Sequence, residues 1–252
     1  MSNEKMKRNV FLAVVAAILA GAVFAGCGKK EEPAENGPEA AENRPEKTEE
    51  AEAKDSQKGK RAERVRTDAE NPFARSGNAR LIELWRKATE ENDADAQIDL
   101  GACYQNGDGV KQDSAEAVKW FRKAAENGHA VAQIIIAQDY ATGTGVDPDM
   151  TEAARWYREA AEQGIASAQF KLGQYYFEGT GVEKNFEEAV KWWRLAAEQD
   201  YSDAQYNLGG CYVEGIGVEK DRAEAARWFR LAAENGDEDA LEALEFLARE
   251  EE

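Results

Sequence analysis

The chain has 252 residues and a formal net charge of −18, and 42% of its residues are hydrophobic. This length could hold one or two ordinary domains, and the hydrophobic fraction is enough for a packed core. Phosphate binding needs a basic face, so this acidic balance argues against nucleic acid as a partner, and we expect none. Residues 73–252 carry 36 Asp and Glu against 19 Lys and Arg, so the acidity belongs to the part of the chain that could fold. It favours basic or neutral partners.

The supply of metal ligands and nucleophiles is small. The chain has three cysteines, Cys27, Cys103 and Cys211, with no CxxC pair, and His129 is its single histidine. This nearly excludes a structural zinc site or a Cys/His catalytic pair, so we expect no metal, no cofactor and no catalytic residue. For His129, which falls at a repeat boundary, we expect the role of a helix cap and not that of a base.

Residues 1–26 have the layout of a secretory signal peptide. A positive start with Lys5, Lys7 and Arg8 precedes an uncharged apolar run over residues 10–25, with small residues near its end. We therefore expect export of the protein.

The end of that run, Phe24-Ala25-Gly26-Cys27, resembles the bacterial lipobox, which is usually Leu, two small residues and Cys. Phe24 departs from the pattern, since an aliphatic residue is commoner there. The resemblance implies that Cys27 is lipid-modified and begins the mature protein in the cell envelope. Gly28 in place of Asp favours the outer membrane, if the cell has one. The alternative is an uncleaved N-terminal anchor, for which the run is slightly short of the ~20 residues needed.

Residues 27–72 read as a disordered, charged linker. Four of the five prolines fall here, and apolar residues larger than Ala are almost absent. Such a stretch cannot bury enough surface to offset the entropy lost on ordering.

The remaining sequence repeats with a period of 36 residues, which indicates a stacked repeat architecture. Ala-Gln recurs in each repeat, followed by a Tyr and later by a Trp. The Tyr and Trp positions are Tyr104, Tyr140, Tyr176 and Tyr212, and Trp120, Trp156, Trp192 and Trp228.

Each repeat predicts two helices. Ala96, Leu100 and Tyr104 are four residues apart, which places them on one helical face. A Gly-x-Gly-Val loop follows, whose first Gly suits a left-handed helix cap. The second helix then opens with an Asp or Asn three residues before a Glu, as in Asp113 and Glu116, which is a capping pattern.

This pattern resembles the Sel1-like repeat family, whose members are α/α solenoids similar to tetratricopeptide arrays and usually serve as adaptors. The resemblance implies an all-α solenoid with four repeats at residues 94–129, 130–165, 166–201 and 202–236. Residues 73–93 and 237–252 match half-repeats and are expected to be solvent-facing capping helices. The best-fitting repeat supplies Ala168, Leu172, Gly173, Tyr176, Gly179, Gly181, Val182, Ala189, Trp192, Trp193, Ala196 and Ala197.

Positions that vary between repeats are candidates for recognition. On the first helices they occur in trios, such as Phe170, Lys171 and Tyr175, whose second and third members follow the first by one and five residues. The trios mix aromatic, apolar and charged residues, as protein interfaces do. The alternative is that the first member of each trio, such as Phe170 or Tyr206, packs between neighbouring repeats. The predicted partner-binding residues are Asp99, Ile135, Asp139, Phe170, Lys171, Tyr175, Tyr206 and Asn207.

We therefore expect a membrane-tethered scaffold that binds a protein or peptide on the face of the first helices. Some cysteine-rich proteins of this type resemble β-lactamases or penicillin-binding enzymes, but they carry a Cys pair in each repeat, which is absent here. The repeat region also lacks a Ser-x-x-Lys motif. An envelope inhibitor or immunity-type protein is a further alternative and would use the same face.

Overall fold

The computed structural model describes residues 71–74 and 77–249, and these residues form ten α-helices. The predicted signal peptide, Cys27 and all but the last two residues of the predicted linker lie outside the described residues. The helices are α1 (Ala79–Glu90), α2 (Ala94–Asn106), α3 (Ser114–Glu126), α4 (Ala130–Thr142), α5 (Met150–Glu162), α6 (Ala166–Glu178), α7 (Phe186–Ala197), α8 (Ser202–Glu214), α9 (Arg222–Glu234) and α10 (Glu238–Arg249).

The helices pack in the order of the chain. Each helix makes its main contacts with the one before it and the one after it, from α1 through α10. The helix pairs α2–α3, α4–α5, α6–α7 and α8–α9 are the four repeats, so α2, α4, α6 and α8 are the first helices. This is the architecture of an all-α solenoid, and the predicted fold class is confirmed.

Local sequence sets the helix ends. Gly143 ends α4 with φ at 76°, a left-handed conformation that costs other residues more, and its N–H donates to the Asp139 carbonyl. The second helices begin where the capping pattern predicts. In α3 the Asp113 carboxylate accepts a hydrogen bond of 3.0 Å from the Glu116 N–H. Equivalent bonds are made by Asp149, Asn185 and Asp221.

The core of each repeat lies between its two helices. Leu172 and Ala168 of α6 are fully buried, and the indole of Trp193 on α7 lies against Gly173. A Cβ at Gly173 would lie 2.5 Å from Trp193 Cδ1, so only glycine allows this approach. Ala137 replaces the glycine in the second repeat, where α5 presents Tyr157.

Two sets of side-chain hydrogen bonds recur along the array, which we call the glutamine ladder and the Arg–Tyr ladder. The buried amide of Gln133 donates to the Ala125 carbonyl at the end of α3 and accepts from Gln163 at the end of α5. Gln97, Gln169 and Gln205 make the equivalent pair of bonds. The Arg158 guanidinium donates a 2.6 Å bond to the Tyr176 hydroxyl, which joins α5 to α6. The ladders therefore satisfy buried polar groups and tie each repeat to its neighbours.

The two ends of the array are closed by α1 and α10. Asn71 is buried and its amide donates to the Ile82 carbonyl, so the packed unit includes the last two residues of the predicted linker. The helix α10 covers the core with Ala240 and Leu247. Its outer surface is not wholly polar, because Leu241 is 57% and Phe246 52% exposed.

Candidate functional site

The outward stripe of each first helix is the candidate site. Residues four apart on a helix lie one above another, so positions two, six and ten of a first helix form a continuous stripe. We call the four stripes together the first-helix face. Its residues are Asp95, Asp99 and Cys103 on α2; Val131, Ile135 and Asp139 on α4; Ser167, Lys171 and Tyr175 on α6; and Asp203, Asn207 and Cys211 on α8.

The structure brings six of the eight predicted partner-binding residues onto this face. Asp99 is exposed, and Ile135, Lys171 and Asn207 are partly exposed in the middle row of the four stripes. The ammonium group of Lys171 donates to the Gln174 side chain, 3.0 Å away on the same helix. These four side chains are available to a partner without rearrangement of the backbone.

Phe170 is not available in this way. Its side chain is only 6% exposed, its ring lies 5.0 Å from the Tyr201 ring, and its carbonyl accepts a bond from Trp193 Nε1. The interpretation of Phe170 as an exposed binding anchor is therefore wrong. The alternative interpretation holds for Phe170: as the first member of its trio, it packs between neighbouring repeats.

Tyr206 also packs between helices. Its ring lies 5.5 Å from the Phe229 ring of α9, and burial raises the pKa of its hydroxyl. Tyr175, the deepest member of the α6 stripe, makes an edge contact of 5.4 Å with Tyr157 of α5, and burial raises its pKa too. Both tyrosines are partly buried, and of the two only Tyr175 lies on the stripe that belongs to the first-helix face.

Asp139 is the most unusual residue of the face. Its side chain is only 5% exposed, and its Oδ2 atom has no hydrogen-bond partner in the described part of the chain. Removal from water raises the pKa of this carboxyl to about 6. The equivalent residues in the other repeats are Cys103, Tyr175 and Cys211, none of which is an acid. The sequence places Asp139 on the face but gives no sign that it is buried.

Charge is segregated between the two sets of helices. The first helices carry six acidic residues and one base, Lys171; the acids are Asp95, Asp99, Asp139, Glu178, Asp203 and Glu214. The second helices carry acids and bases in nearly equal number, and each holds an ion pair three residues apart. These pairs are Glu116–Lys119, Glu152–Arg155, Glu188–Lys191 and Glu224–Arg227. Among the helices of the four repeats, the net negative charge therefore lies on the first helices.

Val131 belongs to the face although the sequence analysis did not single it out. It is 53% exposed and lies one turn before Ile135. The equivalent residues in the other repeats are polar, namely Asp95, Ser167 and Asp203. A comparison of the repeats could therefore have singled out Val131 as the one apolar residue at this position. Val131 and Ile135 give the second stripe an apolar surface beside the acidic first stripe.

The remaining candidate residues are structural. Cys103 and Cys211 are buried and free, and burial raises the pKa of both thiols, that of Cys211 to about 12. His129 stands at the N-cap of α4, as predicted, but its ring does not cap the helix. Its Nε2 instead lies 3.1 Å from Asp95 Oδ1. This contact links the first turn of α2 to the start of α4.

No catalytic geometry accompanies these residues in the part of the chain described. Within residues 71–74 and 77–249, no three His, Cys, Asp or Glu side chains meet as metal ligands. A shallow depression beside α5 and α6 is lined by Arg158, Tyr176 and Glu188, but the Tyr176 hydroxyl is engaged by Arg158. Among these same helices, none has the length and apolarity to cross a bilayer.

Stacked helix pairs with a recurrent core and an independent outer stripe define an α/α-solenoid repeat protein. The chain belongs to the Sel1 repeat family, which matches residues 94–129, 130–165, 166–201 and 202–237. Proteins of this family are generally protein-interaction scaffolds. No curated protein matches the chain.

Two solved structures are similar to the array. The first is a protective antigen present in uropathogenic Escherichia coli strains, displaying an SLR fold; it is 40% identical with a TM-score of 0.61, over 66% of this chain. This chain spans only 35% of that protein's length. The second, a Sel1 repeat protein from Oxalobacter formigenes, is 38% identical with a TM-score of 0.55, over 66% of this chain and 67% of its own.

A third structure, an immunity protein from Pseudomonas aeruginosa, is more distant. It is 23% identical with a TM-score of 0.38, over 64% of this chain and 60% of its own. A similarity of this size carries no argument about function.

Proposed function

We propose that this protein is an interaction scaffold of the bacterial cell envelope, which captures a protein partner on the first-helix face. One observation carries the proposal: the face presents side chains that the stacking of repeats does not use. Val131 is 53% exposed, Asp99 is exposed, and Ile135 and Lys171 are partly exposed, while the recurrent residues beneath them form the core. Solenoids are stabilised by contacts between neighbouring repeats, so such residues are free to bind.

The proposed tether rests on the sequence. The positive start, the apolar run and the residues Ala25, Gly26 and Cys27 support export and lipidation, with Cys27 as the first residue of the mature chain. A lipid on Cys27 would hold the array near a membrane surface, the outer one if the cell has two. Membrane fractionation with mass spectrometry tests this. A lipidated N-terminus at Cys27 supports the tether, and an intact Met1 in the membrane fraction favours the uncleaved anchor.

Site-specific photo-crosslinking tests the binding face. A photoreactive phenylalanine analogue at Val131 reports on the first-helix face, and the same analogue at Leu195 of α7 reports on the second helices. Both native side chains are exposed and apolar, at 53% and 38%, so the two sites are matched. We expect a discrete cross-linked partner from Val131 and none from Leu195 in living cells. The opposite result would assign binding to the second helices.

A non-enzymatic role is part of the proposal. It is supported by the absence of a nucleophile–base pair among the residues on the first-helix face, where Cys103 and Cys211 are buried with raised pKa values. Purified protein should hydrolyse a chromogenic β-lactam no faster than buffer. Turnover that scales with protein concentration would reinstate the β-lactamase alternative.

A further inference from the structure

The carboxylate of Asp139 has no partner that explains its burial. Its Oδ2 atom is shielded from solvent and accepts no hydrogen bond from any described residue. No described basic side chain pairs with it, and desolvation alone accounts for the raised pKa. A buried carboxylate without a cation is costly, and proteins normally pair or neutralise such a group.

Stacking of the repeats does not call for an acid at this position. The equivalent residues in α2 and α8 are cysteines, the one in α6 is a tyrosine, and Leu247 occupies the place in α10. All four equivalent residues are less polar than an ionised carboxylate, and three of them, Cys103, Cys211 and Leu247, are buried. The array therefore tolerates an uncharged residue here, and Asp139 is unexplained by packing.

Asp139 lies at the buried end of a stripe that begins at the surface. Val131, Ile135 and Asp139 are successive members of one stripe, and exposure falls along it from 53% at Val131 to 5% at Asp139. The neighbouring stripe on α2 contributes the exposed acids Asp95 and Asp99. The stripe of α4 therefore places exposed apolar surface next to the buried carboxylate, and the neighbouring stripe adds negative charge.

We infer that the first-helix face takes a basic peptide segment of the partner, with an arginine side chain seated against Asp139 and its apolar stem along Ile135. A guanidinium is the cation suited to a buried carboxylate, because it is more weakly hydrated than an ammonium group and can offer two N–H groups to two oxygens. The stem of such a side chain packs well on aliphatic surface. This inference rests on the proposed function of the first-helix face and specifies the chemistry of its partner.

The distribution of charge agrees with this assignment. Six acids and a single base lie on the first helices, whereas the bases of the second helices are offset by nearby acids. A basic segment is therefore attracted more strongly to the first helices than to the second helices. Lys171, the only base among the first helices, is bound to Gln174 and lies on the stripe after that of Asp139.

A peptide array provides the test. Nine-residue labelled peptides carry Arg, Lys, citrulline or Glu at the centre, flanked by apolar residues and glycine, and are screened against the full-length protein in detergent. We expect the tightest peptide to have a central Arg, and its replacement by citrulline, which is neutral with nearly the same shape, to weaken binding at least tenfold. Asp139→Asn should cause a loss of the same size, and the two changes together should add little to either alone.

Asp147→Asn is the matched control, because it removes the same charge from an exposed loop residue outside the face. It should change the affinity less than twofold. Equal binding of the Arg and citrulline peptides, or full affinity of Asp139→Asn, would overturn the arginine assignment. A peptide screen in which no peptide binds the protein would also overturn it. In each of these cases, a partner cross-linked at Val131 would still support the proposed scaffold function. If neither a bound peptide nor a cross-linked partner is found, the scaffold function is rejected as well.

Discussion

The guanidinium of Arg158 and the hydroxyl of Tyr176 are joined by a 2.6 Å hydrogen bond, and the same cation lies 5.7 Å from the centre of the tyrosine ring. The two residues are 18 positions apart and belong to successive repeats. The pair recurs as Arg122–Tyr140 and Arg194–Tyr212, with the same hydrogen-bond length. One polar contact thus bridges every junction between the four full repeats.

Removal of this contact should lower stability. We expect Tyr176→Phe to cost about 1 kcal/mol in the free energy of unfolding, because the Arg158 donor loses its acceptor while the ring remains. Urea titration followed by circular dichroism measures this. Arg230→Met is the control, since the residue 18 positions on is Ala248 and no such pair exists. A Tyr176→Phe protein as stable as the wild type would show that the contact is without net effect.

Two neighbouring glycines should respond in opposite directions to the same substitution. A Cβ at Gly209 would lie 2.7 Å from the Phe229 ring, whereas a Cβ at Gly210 meets nothing within 4 Å. Gly209→Ala should therefore destabilise the array by about 1–3 kcal/mol through overpacking. Gly210→Ala should stabilise it by up to about 1 kcal/mol through helix propensity. Thermal melts of the two variants decide this, and a shift of both in one direction would contradict the packing at Phe229.

Asp139 should make stability depend on pH. Its pKa is about 6 in the folded protein against an ordinary value of 3.8, so the folded state holds the proton more tightly between these values. This group's contribution to stability therefore rises as pH falls from 7 towards 4. Asp139→Leu should raise the free energy of unfolding at pH 7 by about 2–3 kcal/mol, and by less at pH 4.5.

Denaturant titrations at the two pH values provide the measurement. Asp147→Leu is the comparison, because an exposed carboxylate gains nothing from removal of its charge. An Asp139→Leu advantage that is constant with pH would place its origin in packing alone. A stabilised variant that also fails to bind the arginine peptide would show that the acid is kept for binding at the expense of stability.

The two buried cysteines should stay reduced and slow to react. Cys103 and Cys211 are three repeats apart, too far for a bridge that needs Cα atoms within about 7 Å. Burial also holds both thiols in the unreactive protonated form. We expect alkylation of the folded protein on the order of a hundredfold slower than in denaturant, with peptide mapping to separate these sites from Cys27. Rapid labelling of Cys211 in the folded protein would contradict its burial in α8.

Features set within one repeat were predictable from the sequence. The side chain of Asp113 caps α3 through an N–H three residues along, and Gly143 takes its left-handed conformation within a single turn. Neither needs knowledge of another repeat. The 36-residue period then extends each of these features to the whole array, which explains why the fold class followed from the pattern.

Features that depend on how repeats stack were harder to predict. Phe170 and Lys171 are adjacent in sequence and point about 100° apart, so helical periodicity alone does not say which side a neighbouring helix covers. The structure covers Phe170 with Tyr201 and leaves Lys171 partly exposed. Asp139 poses the same problem, because the periodicity of α4 does not show that its side chain is buried.

The glutamine ladder has a consequence for the order in which the array opens. At each junction from α1 to α8, a buried glutamine donates to the last turn of the preceding second helix, as Gln205 does to the Ala197 carbonyl. The helix α10 has Leu241 at that position, and its side chain is largely exposed. The final junction therefore lacks the tie that every other junction has. Fraying should begin at α10, whose amide protons should exchange with solvent before those of the four repeats.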